Sequence, residues 1–418
     1  LTITCARQRM IRGETQYNKV SRFVREIPSE LLDSELRKPA SARESSFGKV
    51  YRFTVLLVST FIVIKTSKKQ TIWMMLLLAA NLIVVIYQVS CGVLLFDAIL
   101  NMVKLLCPYV TAGAFMGLID KGKIDSAYFD KMLRNLMLIV SLSIIIPRIL
   151  GIGYERYEGS GYQGLYFENN ALVVMLVVIF IYSLENLYRK RNLKNLFYVS
   201  LTTFSMVING SKSSMALFAV ITVLYILRYI FVLNPAKFPF RLIAIIIAIL
   251  GLGVVLYPVI YPLVEKRIDA YMYYYIGGVK INGGTVLDFL TNGRTAFAEF
   301  YFSKYYAKNS MMNVLFGIQR YGDIRVEMDP IDIFLYFGLL VSALLIVYIV
   351  KSVHNLKYAS FMVKLMFWSI MIYSFLAGHV WDSSLAGLPL SMILAVVISI
   401  RKLKVNSCDD ELSVKYFV

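Results

Sequence analysis

Long apolar runs, interrupted by short polar segments, fill most of the chain. Roughly 20 apolar residues of helix cross a bilayer core about 30 Å thick, and this measure predicts about eleven or twelve spans. Eleven can be placed, near 50–64, 71–89, 97–119, 133–152, 170–187, 195–209, 214–233, 241–262, 331–350, 361–377 and 384–400. Backbone groups in lipid must be hydrogen-bonded within their own segment, and the runs do not alternate as the strands of a barrel do. We therefore predict an all-α, polytopic transmembrane helical bundle.

Composition supports this class and excludes others. The chain has 58% hydrophobic and 17% charged residues, against about 45–50% and about 25% in soluble domains. Soluble, disordered, collagen-like and disulfide-scaffold proteins are thereby excluded. The four cysteines lie far apart and show neither a disulfide framework nor a zinc-ligand spacing. We expect no metal and no cofactor.

Positive charge is concentrated in alternate loops. The net charge is +18, from 44 Lys and Arg against 26 Asp and Glu. The cationic loops lie near 65–69, 121–134, 189–194, 237–241, 351–364 and 401–404. The short loops between them hold only Arg156 and Lys212, so the cationic set is predicted to be cytoplasmic. The charge therefore marks topology and contact with anionic lipid, and we expect no nucleic-acid partner.

This topology predicts a transmembrane domain over 50–400 between two tails. Segment 1–49 is basic and lacks an apolar run long enough for a span or a signal peptide, so we expect a poorly ordered or amphipathic tail. With eleven spans and a cytoplasmic tail at 401–418, that segment would lie outside, against the same rule. Either a span is missed or the start lies outside the native frame. Segment 263–330 is predicted to be a long extracytoplasmic loop, and its helix-compatible sequence over 294–317 favours a packed cap.

Cationic groups on the outer face are candidates for binding an anion. Arg148 is predicted at or just inside the bilayer, where a charge faces a cavity or a partner. The alternative is that Arg148 snorkels to lipid headgroups. A guanidinium fork suits a diphosphate, because it binds two phosphate oxygens at once. The turn at 209–214 holds Lys212 before a helix N-terminus, which either accepts an anion or is an ordinary capped turn.

Carboxylates on the same face are candidates for proton transfer. Glu327 and Asp329 precede a predicted span, where a low dielectric constant raises a carboxyl pKa into the range that suits deprotonation of a sugar hydroxyl. A salt bridge with Arg294 or Arg325 is the competing interpretation of these carboxylates.

The last outer turn and a tyrosine cluster complete the candidate chemistry. His379, near Asp382, is either a further base or a hydrogen-bonded structural residue. Tyr274 lies in the run 271–275, which predicts either an interfacial aromatic belt or a floor for sugar faces. Cations and carboxylates above an apolar body suit a substrate with a lipid tail, a phosphate linkage and a sugar head.

Several segments of the outer loops form a recognisable series. They are "RYEGSGYQGLYFENNAL" at 156–172, "NGSKSSMALFAV" at 209–220, "NGRTAFAEFYF" at 292–302, "EMDPIDIFLYFGLL" at 327–340 and "AGHVWDSS" at 377–384. Their order and spacing resemble those of the Wzy-type polysaccharide polymerases and O-antigen ligases, over roughly residues 70–400. Arg148 and Gly159 also satisfy the Arg-x10-Gly spacing of one outer loop in such polymerases.

The resemblance implies an inverting, metal-independent glycosyltransferase of the bacterial cytoplasmic membrane. Its substrate would be an oligosaccharide repeat unit attached to a polyprenyl-diphosphate carrier, undecaprenyl diphosphate. The enzyme would polymerise these repeat units on the extracytoplasmic side into capsule or exopolysaccharide. Membrane lipids, a flippase and a chain-length regulator are the candidate partners. The residues so implied are Arg156, Arg294, Arg148 and Lys212 for the diphosphate, Glu327, Asp329 and His379 for the acceptor-activating base, and Asn170, Tyr274 and Arg325 for sugar and loop contacts.

Two departures from the family pattern bear on the choice of activity. Tyr305 stands where a second Arg-x10-Gly from Arg294 would need glycine. Asp329 and Asp332 take the place of the ligase-type histidine, which favours a polymerase over a ligase. A ligase acting on another acceptor stays an alternative. So does a flippase or transporter of lipid-linked sugar, although that class needs polar residues through the bilayer core.

Overall fold

The structure is a computed structural model, and it describes residues 8–11, 14–17, 46–157, 160–233, 294–295, 298–299, 302, 311–317 and 326–406. The chain divides into two units, Leu1–Lys49 and Val50–Val418. In the first unit, strands β1 (Gln8–Ile11) and β2 (Glu14–Tyr17) form an antiparallel hairpin. The sequence analysis did not predict this hairpin.

Helices dominate the second unit. Ten of the eleven predicted spans coincide with helices, and the prediction at 241–262 lies outside the described residues. The helices are α1 (Ser46–Thr66), α2 (Lys68–Ser90), α3 (Leu95–Asp120), α4 (Ser126–Leu150), α5 (Asn169–Arg189), α6 (Leu193–Asn209), α7 (Lys212–Leu233), α8 (Met311–Phe316), α9 (Asp329–Asn355), α10 (Phe361–Ala377) and α11 (Ser384–Asn406), with a 3-10 turn at Leu356–Tyr358.

Six of these helices are long and apolar enough to cross a membrane: α2, α3, α4, α5, α7 and α9. Helices α10 and α11 are apolar over shorter stretches. The described part of the chain is therefore a mostly helical, membrane-embedded bundle, as predicted. Most of the predicted loop at 263–330 lies outside the described residues.

Local sequence signals set several helix ends. Asp125 caps α4 by accepting a hydrogen bond from the backbone N–H of Tyr128 at 2.8 Å. Asn192 caps α6 in the same way, with 2.8 Å to the N–H of Asn195. Gly210 ends α6 in the left-handed conformation, which glycine adopts without a steric cost. These side chains satisfy N–H groups that a helix start leaves without an intrahelical partner.

Burial separates central helices from peripheral ones. Of the most apolar 18-residue window, 83% is buried in α5 and 72% in α3, against 22% in α7. The peripheral helices carry large exposed apolar side chains such as Leu57, Ile86 and Ile149. A helix that is apolar all round suits either the centre of a bundle or a lipid-facing position, so both groups are consistent with a bilayer.

Helix α9 is interrupted, whereas the sequence predicts one continuous span over 331–350. Gly338 has φ 67° and ψ −172°, outside the helical region. A Cβ atom there would overlap the backbone of Leu315 in α8, so the short helix packs directly against the interruption. The freed carbonyl of Tyr336 accepts a hydrogen bond from Gln88 Nε2 at 2.7 Å. Non-helical backbone at membrane depth is tolerated only where protein or a cavity satisfies it.

A second short hairpin lies between α4 and α5. Strands β3 (Tyr154–Tyr157) and β4 (Ser160–Gly164) pair antiparallel. The chain leaving β4 is bound to the end of α4, where the N–H of Leu165 donates to Ser143 O at 3.2 Å. The all-α prediction missed this hairpin, which places the following loop above α4 and α5.

A buried charge cluster joins α5 to α7 at the end of α5 that lies away from Asn169. Glu185 is 1% exposed and binds Arg189 at 2.7 Å and Arg228 at 2.6 Å. Tyr225 Oη donates to the same carboxylate at 3.0 Å. A carboxylate with three donors can be buried between helices, because each oxygen keeps a partner.

Candidate functional site

Loops from distant parts of the chain meet at one end of the bundle, which we call the site end. Ser383 Oγ donates to Glu168 Oε2 at 2.6 Å, and Asn170 Nδ2 donates to Ala377 O at 3.0 Å. These contacts join the loop before α5 to the loop after α10. The segments of the site end are 151–157, 160–168, 210–211, 326–328 and 378–383.

The turn between α6 and α7 belongs to the same end. Asn209 Nδ2 donates to Asn169 Oδ1 at 3.0 Å and lies 3.5 Å from Tyr162 O. The guanidinium of Arg148 lies 5.2 Å from the centre of the Tyr162 ring and is exposed. Arg148 therefore lies at the solvent-accessible surface of the last turn of α4, beside the hairpin.

Arg294 connects two of these segments. Its Nη1 donates to Leu376 O at 2.8 Å, and its Nη2 donates to Glu327 Oε2 at 2.7 Å. The arginine side chain is 12% exposed and the glutamate side chain 47%. Arg294 and Asn170 thus bind the adjacent carbonyls of Leu376 and Ala377 at the end of α10. The salt bridge that the sequence offers as one interpretation of Glu327 is present, with Arg294 as its partner.

Two strained residues face each other across the site. Glu327 has φ 60° and His379 has φ 61°, and no other non-glycine residue among those described has a positive φ. Such values cost about 1–3 kcal/mol each and persist only where surrounding contacts impose them. The contact that does so is close, because a Cβ atom on Gly378 would lie 2.6 Å from the carbonyl group of Glu327.

His379 lies between two carboxylates. Its Nδ1 is 3.5 Å from Asp382 Oδ1, and its Nε2 is 4.0 Å from Glu327 Oε1. Neither contact is a hydrogen bond in this structure, because the first has only the distance of an ion pair and the second is longer still. In sites without substrate, hydrogen bonds of catalytic groups are often longer than in the reacting complex.

The protonation of Glu327 follows from its neighbours. Burial alone would raise the pKa of this carboxyl, but the neighbouring side chains of His379 and Arg294 outweigh burial and lower the pKa from 4.5 to about 2. Arg294 makes the direct hydrogen bond, so we regard it as the stronger partner. A carboxylate with so low a pKa is a weak base at neutral pH. Glu327 is therefore suited to holding Arg294.

Asp329 fixes the last outer turn against α9. It is 5% exposed, and its Oδ2 accepts hydrogen bonds from Ser374 Oγ at 2.8 Å and from the backbone N–H of Val380 at 2.9 Å. Ser374 Oγ in turn accepts from Trp381 Nε1 at 2.8 Å. As the first residue of α9, the carboxylate also lies at the positive end of a helix. These contacts describe a positioning role for Asp329.

A small crevice opens beside these groups. Part of its lining is aromatic, because Tyr336, Phe337 and Trp381 border it. Trp381 also stacks on Tyr109, with 5.0 Å between ring centres. The polar groups on its wall belong to Asn101, Asp329, Asp332, Tyr336, His379 and Asp382. Small concave sites with an aromatic surface and a few polar groups suit an oriented organic ligand, here one with hydroxyl groups.

The structure brings together part of the predicted site. Arg294, Glu327, Asp329 and His379 are in contact or share one neighbour, and Asn170 lies beside them. Arg148 is described but lies on the hairpin side. The side chains of Arg156 and Lys212, and all of Tyr274 and Arg325, lie outside the described residues.

Sequence reasoning missed Ser374 as a member of the site. Ser374 lies on a mostly apolar helix, and nothing in its sequence context marks it as a ligand of Asp329. Within the described ranges, no group of three or more potential metal ligands occurs.

Comparisons with family models, with curated proteins and with solved structures found no match for this chain. The chemistry of the site therefore carries the functional argument. A guanidinium beside an acidic and aromatic crevice can bind an anionic group next to a polyhydroxylated one. An imidazole in the same place can accept a proton.

Proposed function

We propose that the protein is a membrane glycosyltransferase that polymerises polyprenyl-diphosphate-linked oligosaccharide repeat units into a surface polysaccharide. The contact between Arg294, Glu327 and His379, beside an aromatic and acidic crevice at one end of an apolar bundle, is the observation that carries the proposal. It combines a diphosphate ligand, a proton acceptor and a crevice lined by aromatic and acidic side chains. The resemblance of the outer-loop segments to the Wzy-type polymerases supports the same activity.

Arg294 would stabilise the leaving diphosphate. A guanidinium has five N–H donors, so an arginine held by one carboxylate and one carbonyl can still bind phosphate oxygens. Arg148, Arg156 and Lys212 are proposed to add positive charge around the same group. Charge stabilisation of this kind acts strongly in a site that excludes water.

His379 is our choice of base, because Glu327 is a weak base and Asp329 already accepts hydrogen bonds from Ser374 and from the backbone N–H of Val380. In the proposed step, a hydroxyl oxygen of the acceptor repeat attacks the anomeric carbon of the sugar on the carrier. The hydroxyl proton passes to His379. The bond from that carbon to the diphosphate oxygen breaks, and its electron pair leaves with the polyprenyl diphosphate. Attack on the face opposite the leaving group inverts the configuration.

The test uses lipid-linked repeat units extracted from a strain that lacks the gene. Purified protein in nanodiscs is expected to convert them into a ladder of longer chains. Arg294→Ala should lower the rate by about 100-fold or more, the loss typical of one stabilising donor. Arg294→Lys should recover little of it, because an ammonium lacks the fork. Asp97→Asn, which changes an exposed aspartate in the first turn of α3, is the matched control.

Two outcomes would contradict this proposal. One is a full ladder from Arg294→Ala at the wild-type rate. The other is the absence of any elongation by a wild-type protein that is folded and supplied with these lipids.

A transporter of lipid-linked sugar is the second candidate, and the interruption of α9 favours it. Discontinuous membrane helices that line a cavity are typical of transporter sites, and the part of α9 that precedes the break lines the crevice. In a deletion strain, lipid-linked repeats that accumulate on the cytoplasmic face would support transport. Accumulation on the outer face would support polymerisation.

A further inference from the structure

We infer that Asp382 is a positioning residue: it holds the proton of neutral His379 on Nδ1, so that Nε2 accepts the proton of the acceptor hydroxyl. The identity of that hydroxyl rests on the proposed function. The position of the proton on the His379 ring is independent of the proposed function.

The pairing of ring atoms with carboxylates carries the inference. Asp382 Oδ1 is the nearer carboxylate and lies on the Nδ1 side, at 3.5 Å. Glu327 Oε1 lies on the Nε2 side, at 4.0 Å, and Glu327 already accepts a hydrogen bond from Arg294. A carboxylate beside one ring nitrogen decides which tautomer an imidazole adopts, because it accepts a hydrogen bond from the protonated nitrogen. Asp382 therefore favours the Nδ1–H form.

The loop that carries this pair is fixed along its length. Gly378 packs against the backbone of Glu327, the N–H of Val380 donates to Asp329, and Trp381 donates to Ser374. Ser383, immediately after Asp382, donates to Glu168. A histidine and an aspartate three residues apart are thus held by neighbours on both sides. Because its neighbours hold it in this way, the pair of His379 and Asp382 keeps its geometry while substrate binds.

Charged groups from three segments face the imidazole. Asp382 comes from its own loop, Glu327 and Arg294 from the segment before α9, and Asp329 from the first turn of α9. Because Arg294 balances Glu327, removal of Asp382 takes away the carboxylate that stabilises the imidazolium most directly. We expect Asp382→Asn to lower the pH at which His379 becomes a competent base.

Ring-nitrogen NMR tests the tautomer without an activity assay. The chain has two histidines, and His354→Gln removes the other one, which is exposed in the last turn of α9. In ¹⁵N-histidine-labelled protein in nanodiscs, neutral His379 should show a protonated Nδ1 and an unprotonated Nε2. Asp382→Asn should shift the ring toward the Nε2–H form, and Asp97→Asn should leave it unchanged.

Elongation kinetics test the catalytic consequence. With lipid-linked repeats from the deletion strain, Asp382→Asn should lower kcat by 10-fold or more with little change in KM, and its pH–rate profile should shift. Asp382→Glu should restore part of the rate. An Nε2–H ring in the wild type, an unchanged ring in Asp382→Asn, or a wild-type kcat in Asp382→Asn would each overturn the inference. Failure of the wild type to elongate any lipid-linked repeat would instead remove the proposed function and leave the NMR result to decide the tautomer.

Discussion

Substitution of Gly378 by alanine tests whether the contact between two loops holds the site together. Gly378 has φ 62° and ψ −168°, a conformation that belongs essentially to glycine. An added Cβ would lie 2.6 Å from the carbonyl carbon and oxygen of Glu327, whereas ordinary contact begins at 3.4 Å. The loops must therefore separate by up to about 0.8 Å. That displacement acts directly on the spacing between His379 and Glu327.

Two costs contribute to the expected loss of stability. The backbone conformation costs an alanine about 1–3 kcal/mol, and relief of the overlap costs about 1–3 kcal/mol more. We therefore expect Gly378→Ala to reduce the free energy of unfolding by about 2–6 kcal/mol. Gly151→Ala is the matched control, because Gly151 also has a positive φ, 67°, but its added Cβ would meet nothing within 4 Å. The control should lose only about 1–2 kcal/mol.

Unfolding is measured by titrating sodium dodecyl sulfate into dodecyl maltoside micelles and following tryptophan fluorescence, to which buried Trp381 contributes. Gly378→Ala should unfold at a clearly lower detergent fraction than Gly151→Ala and should lose elongation activity. Equal midpoints for the two variants would refute the reasoning, since the loops would then separate at no cost.

Two further predictions concern the same network. Ser374→Ala should lower the free energy of unfolding by about 2–4 kcal/mol, because it removes a hydrogen bond to Asp329 and leaves Trp381 Nε1 unsatisfied. The control Ser352→Ala loses one hydrogen bond to a helix carbonyl and should lower it by about 1 kcal/mol in the same titration. Because the pKa of Glu327 falls from 4.5 to about 2 on folding, the stability it contributes is fully present above pH 4.5 and lost as the pH falls through about 2. The difference in unfolding midpoint between the wild type and Glu327→Gln should therefore be constant from pH 5 to 7 and shrink toward pH 2.5; a difference that grows on acidification would contradict the lowered pKa.

The helices and several of their ends could be read from the sequence. Apolar runs of sufficient length must form internally hydrogen-bonded segments in lipid, which is a local requirement. Capping by Asp125 and Asn192, and termination at Gly210, depend only on residues within a few positions of the helix end. These signals do not require knowledge of which helix lies beside which.

The candidate site could be predicted only in part from the sequence. Arg294, Glu327, Asp329 and His379 were singled out by residue type and by position near predicted spans. Their roles could not be separated, because a carboxylate in the sequence looks the same whether it binds an arginine or a buried serine. The structure separates them through long-range contacts, which place Arg294 on Glu327 and Ser374 on Asp329.

Local sequence therefore determined that this chain is a bundle of apolar helices with its polar chemistry near their ends. Tertiary structure alone decided that α9 is interrupted at Gly338, that Glu327 and His379 adopt positive φ, and which carboxylate faces which nitrogen of the histidine. The physical reason is the range of the interactions. Helix formation in lipid depends on one continuous run of apolar residues, whereas the break in α9, the strain at Glu327 and His379 and the Arg294–Glu327 pair depend on contacts between segments tens of residues apart.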